Sequence, residues 1–120
     1  MDSDEIPINA SGIELRELAR AHNWDNGLEV PIAISEHASC DLAVALELFW
    51  LADAATVLSI DEDPNGDPWF HFCELIADRI LTGYYTGASS SFEVPLTKVQ
   101  VHNYRRSGLA EIFLTRVSKD

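Results

Sequence analysis

From Leu42 to Ile60 the chain is nearly all apolar, interrupted only by polar positions that include Glu47 and Asp53, and this run constrains the fold more than any other segment. Read as a helix from Asp41 to about Leu58, at about 100° per residue, it places Asp41, Glu47 and Asp53 near 0°, 240° and 120°. Three carboxylates spread evenly around the wheel leave no polar face. A helix that is apolar all round must be surrounded by other elements, so the segment predicts a central helix with a bundle built around it. Asp41 suits the N-cap, where its carboxylate meets free backbone amides and the positive end of the helix dipole. Glu47 and Asp53 have no such excuse, with Asp53 falling between Leu46, Phe49 and Val57 on the wheel. Either they are paired and hydrogen-bonded inside, or they mark a surface left open for something else.

The flanking segments read as helices with stop signals. Residues 1–10 form an acidic leader with Pro7 against early helix, so a single domain is expected over 11–120, close to the size of one core. Ser11 and Glu14 make a capping box, and Leu15, Leu18, Ala19 and His22 follow at i, i+3, i+4 and i+7. Asn23-Trp24-Asp25-Asn26-Gly27 ends that helix, and Pro31 fits the first turn of a second over about 28–37. Asp67 followed by Pro68 opens a helix from Trp69 to about Thr82. Its apolar face gathers Trp69, Cys73, Ile76, Ala77 and Ile80, opposite His71, Glu74, Asp78 and Thr82. Phe92 to Pro95 is extended by the proline rule. Thr97 caps a helix ending at Arg106, with basic residues in its last turn and Gly108 as its stop. Leu109 to Val117 is a turn of helix or an edge strand. The expected class is all-α, a compact bundle of about five helices.

Charge separates along the chain. Between Arg20 and Arg79 lie 58 residues with 12 acids and no lysine or arginine. Through Asp67 there are 15 acids and 2 bases, a formal charge of −13, against +1 for the remainder. At 47% apolar and 23% charged, the composition is that of a folding chain rather than a disordered acidic one. Nucleic acid and anionic lipid carry the same sign and are disfavoured, while a basic protein is the natural partner. Solubility alone is the competing explanation. The apolar run is too interrupted for a membrane span, and the first residues lack a basic, apolar secretory signal. A cytoplasmic setting is therefore expected.

Motif by motif, the sequence supplies little chemistry. Asp61, Asp63, Asn65 and Gly66 match the first half of a calcium loop, but the twelfth position is Phe72, with Glu74 two residues beyond it. An acidic interhelical loop is the better reading. His37-x-x-Cys40 and His71-x-Cys73 offer four zinc ligands on paper, yet on a helix His71 and Cys73 point about 160° apart. Cys40 and Cys73 are too few for a disulfide framework. There is no nucleophile elbow and no phosphate-cradling loop, so no catalytic residue, cofactor or metal is assigned. Asp61, Glu62, Asp63, Asp67, Glu74 and Asp78 instead form a candidate partner-binding acidic patch, with Trp24 and Asp53 as candidate anchors. The alternative is an enzyme or small-ligand domain with a pocket near Asp53, Glu47 and His37.

Three blocks carry a family resemblance. They are Leu18-Ala19 leading to Asn23-Trp24-Asp25-Asn26-Gly27 and Pro31; His37-x-x-Cys40-Asp41-Leu42-x-x-Ala45-Leu46-x-Leu48-Phe49-Trp50-x-Ala52-Asp53; and Pro95-Leu96-Thr97-Lys98-Val99-Gln100 followed by Glu111-Ile112-Phe113-Leu114. Together, from about Leu15 to Leu114, they resemble the bacterial domain of unknown function 4274. Ala43-Val44 stands where Gly-Thr is expected, Ala54 where Gly is, and Ala38 where Pro is, differences that touch packing and turns. The resemblance implies no activity. In size and charge, though not in sites, such a domain is similar to immunity proteins, which neutralise a toxin. The expected function is thus a non-enzymatic, immunity-like inhibitor of a basic toxin or effector.

Overall fold

The architecture comes from a computed structural model that describes residues 6–59 and 66–119. Among the described residues six α-helices follow one another: α1 Gly12–Ala21, α2 Glu29–Glu36, α3 Leu42–Leu51, α4 Ala54–Leu58, α5 Pro68–Leu81 and α6 Lys98–Arg106. Single 3₁₀ turns lie at Trp24–Asn26 and Glu111–Phe113. The fold is an all-α bundle, and α3 packs against α1, α2, α4 and α5. Ala43, Val44, Ala45, Leu46, Leu48 and Phe49 of α3 are buried, so this helix is held by neighbours on every side, as its wheel requires. Each of its large side chains adds roughly 1.5–3 kcal/mol of burial.

Local signals place the ends. Ser11 and Glu14 form the capping box at α1, and Asp41 Oδ1 accepts from the Val44 amide at 2.9 Å. The other carboxylate oxygen of Asp41 accepts from the Ser89 amide and hydroxyl at 2.8 and 3.0 Å. One side chain thereby fastens the start of α3 to the loop after α5. Gly12 lies against this junction, where a Cβ would sit on Ser89 Oγ and 2.9 Å from Asp41 Oδ2.

The expected single helix from Asp41 to Leu58 is broken. Asp53 adopts a left-handed conformation at φ 57°, ψ 39°, which Asp tolerates better than most residues. The break takes the Ala52 carbonyl out of the helical ladder. It accepts instead from Trp69 Nε1 at 2.8 Å, with Cys73 Sγ at 3.9 Å. Asp53 is consequently exposed, a correction to its inward place on a continuous wheel.

Beyond α5 the chain wraps the bundle as a strap pinned at several points. Tyr85 donates its hydroxyl to the Ser35 carbonyl at 2.9 Å, and Phe113 stacks on Phe49 at 4.3 Å between ring centroids. Phe92 and Val117 exchange both backbone hydrogen bonds, at 2.8 and 3.0 Å, so the terminal segment supplies a 3₁₀ turn followed by a lone antiparallel bridge. Between those pins α6 buries no residue. Tyr104, edge-on to Trp50 at 5.6 Å, is its aromatic contact with the bundle.

Candidate partner-binding surface

α5 is where the acidic stretch becomes a surface. Asp67 accepts from the Trp69 amide at 3.0 Å and Pro68 occupies the first turn, which sets the helix in register. Phe72, Cys73, Ile76, Ala77 and Ile80 then face inward, leaving His71, Glu74, Leu75, Asp78 and Leu81 exposed. His71 Nδ1 is 3.6 Å from Glu74 Oε1. The Asp78 carboxylate makes no ion pair within 4.0 Å among the described residues. The one base of α5, Arg79, is turned away, 4.8 Å over the Tyr84 ring and within 3.4 Å of the Tyr85 hydroxyl.

Of the sequence-predicted patch, Glu74 and Asp78 share one shallow hollow, bordered also by Leu58, His71, Leu75 and Leu81. Asp67 begins the same helix, roughly 10 Å along its axis from Glu74. Asp61, Glu62 and Asp63, with the calcium candidate Asn65, lie outside the described residues. Trp24 is committed to internal packing, 5.6 Å from both His22 and Trp69 and 6.2 Å from Phe72. Its Nε1 is buried without a hydrogen-bond partner.

The residues of the alternative pocket are not brought together. Glu47 faces α1, where Oε1 accepts from Arg16 Nε at 2.8 Å and Arg20 NH1 at 2.9 Å. Its side chain is 13% exposed and that of Arg16 12%. Of the two readings left open for Glu47, the paired one holds. His37 stands beside the start of α3 and Asp53 beyond its end, some 15 Å of helix apart.

His37 lines a polar cavity of about 330 Å³ with Cys40, Asp41, Tyr84 and Tyr85, all carrying reactive side chains. Its groups are occupied with one another. His37 Nδ1 accepts from the Ser39 amide at 3.0 Å, and its Nε2 lies 2.9 Å from the Pro7 carbonyl, to which it donates. Burial, reinforced by the Asp41 charge, pushes the Cys40 thiol up to about 12. Such a thiol is a poor nucleophile and metal ligand. Burial also raises the Tyr85 hydroxyl, against the hydrogen bond from Arg79. Cys73, buried beside the Ala52 carbonyl, is likewise pushed up to about 12 by burial. The four zinc candidates are thus scattered, and no cluster of three or more His, Cys, Asp or Glu side chains suited to a metal occurs among the described residues.

A second, apolar cleft of about 480 Å³ opens between α4, α5 and α6. Phe49 and Phe113 lie on one side, with Leu58, Leu81, Tyr104 and Leu109 around them. Sequence reasoning missed it because its walls join residues far apart in the chain. The Arg16–Glu47 pair carried a weak signal, since Arg16 and Arg20 lie four apart on one helix and Glu47 stands alone in an apolar one.

No described helix is long and apolar enough to cross a membrane. No curated protein and no solved structure matched the chain. A family model did, over residues 10–81, which takes in α1 to α5 and leaves Pro95–Gln100 and Glu111–Leu114 outside the match. With more than half its length matched, the chain belongs to the family described as Domain of unknown function (DUF4274).

Proposed function

We propose that this domain is a small, acidic, non-enzymatic protein-binding module, most concretely an immunity-like inhibitor that neutralises a basic toxin or effector in the bacterial cytoplasm. The observation that carries this reading is the pair Glu74 and Asp78, four apart on an exposed helix face. Like charges at that spacing disfavour an isolated helix by a few tenths of a kcal/mol; His71 stands beside Glu74, while Arg79, next to Asp78 in sequence, is turned onto Tyr84. A face of this kind attracts a cationic surface over long range and raises the association rate. The polar cavity at His37 supports the same reading, because its reactive groups are used to hold loops together.

The test is kinetic. With the basic protein retained by this domain from its native host, association should slow steeply as salt rises. Reversing Glu74→Lys and Asp78→Lys should lower the rate about tenfold or more and flatten that salt dependence. A rate indifferent to both would sink the reading.

A further inference from the structure

The apolar cleft and the acidic hollow adjoin as two parts of a groove, for Leu58, Ala77 and Leu81 border both. On the inner side the rings of Phe49 and Phe113, buried and stacked on each other, line the apolar part, whose volume of about 480 Å³ can receive an apolar side chain. Two of the four hydroxyls in that lining are already donated to backbone, Ser59 to Thr56 at 2.6 Å and Ser107 to Tyr104 at 2.8 Å. On the outer side stand Glu74 and Asp78. Leu81 borders both parts and is 55% exposed, with Leu75 beside the carboxylates at 38%, so the two parts meet along apolar surface open to a partner.

No Lys or Arg borders either part of the groove. On the α6 side, Arg105 is held by Glu111 through hydrogen bonds of 3.0 and 2.6 Å. Among the described residues, an occupant therefore meets apolar surface in the middle and the carboxylates of Glu74 and Asp78 along α5. Glu74 and Asp78 are spaced by about 6 Å along the helix axis, the rise between residues four apart on any α-helix. That is the spacing of two cationic side chains on a second helix laid beside α5.

Resting on the reading of a basic protein partner, we propose that this groove docks an amphipathic helix of that partner: apolar residues at i, i+3 or i+4 and i+7 enter over Leu81 toward Phe49 and Phe113, and lysines or arginines four apart on the flank meet Glu74 and Asp78. This is helix-in-groove recognition, with steering and register supplied by the carboxylates and retention by the cleft.

Three synthetic peptides of equal length test it against the full chain, by calorimetry and by amide chemical shifts. One is a leucine-striped helix with lysines four apart on its flank, one has the same composition scrambled, and one carries glutamate for lysine. The striped lysine peptide should bind and move the resonances of Leu58, Leu81, Tyr104 and Phe113. The scrambled peptide should bind about tenfold or more weaker and the glutamate peptide should not bind. Leu81→Asp, at an exposed position, should weaken binding about tenfold, with folding checked by circular dichroism. Equal binding of striped and scrambled peptides, or indifference to Leu81→Asp, overturns the groove while leaving the basic-partner reading standing. Failure of both lysine peptides overturns the two together. Shifts in the groove that depend on protein concentration without peptide would assign it to a second copy, and also overturn the proposal.

Discussion

In α3 six of ten residues are buried and the helix touches four others, whereas in α6, nine residues long, none is buried. The two also differ in what starts and stops them. α6 carries a complete local programme: a capping box from Thr97 and Gln100, two arginines in its last turn, and Gly108 at φ 97° after its end. α3 has its cap at Asp41 but relies on tertiary packing for the rest. Short isolated helices are marginal in water, so α6 forms because its ends are written into the sequence, and α3 because the core demands it. The electrostatics follow the same division: the family-matched 10–81 segment is strongly acidic and the strap that carries α6 is basic.

The largest effect that would sharpen this comparison is a cavity in the centre. Phe49→Ala should cost about 3–5 kcal/mol in denaturant unfolding, while Val99→Ala, at a residue 68% exposed on α6, should stay within about 0.5 kcal/mol. Comparable losses would mean that α6 is part of the core. Next comes alkaline pH, which acts on the packed side of the molecule. Cys73 and Cys40 ionise near 9.0 when unfolded but are pushed up to about 12 when folded. Their contribution is full below pH 9.0 and is lost as pH rises toward the folded values. For fully buried Cys73 the slope approaches ~1.4 kcal/mol per pH unit. Cys73→Ala should flatten the decline between pH 9 and 11, and an unchanged curve would show that the thiol is not desolvated. The smallest effect is local. Thr97→Ala should remove about 1 kcal/mol and speed amide exchange in α6 alone, leaving α3 protected; equal acceleration in both would mean they unfold as one unit.

What was readable in the sequence follows the same line. Ser11 with Glu14, Asp67 with Pro68 and Thr97 announced helix starts because a cap is made by residues within a turn of one another. The inward face of α5 was readable from its period. The break at Asp53 was not, because its compensation comes from Trp69, in another helix, which takes up the Ala52 carbonyl. Nor was the use of Asp41 as a joint to Ser89. For the surface, residue types and spacing disclosed Glu74 and Asp78, but the cleft beside them depends on Phe113 and Tyr104 returning from the far end of the chain.

That return has a consequence for how such domains can diverge. Since Phe92 and Val117 are joined by both backbone bonds, residues 93–116 form a loop closed at its base and held to the core within by Tyr104 on Trp50 and Phe113 on Phe49. The exposed stretches between those contacts can grow or shrink without rethreading the core, and doubling a loop adds only about 0.6 kcal/mol of closure entropy. One wall of the groove is therefore free to vary in height while the wall bearing Glu74 and Asp78 stays fixed, which makes the strap an adjustable jaw closing on a constant one.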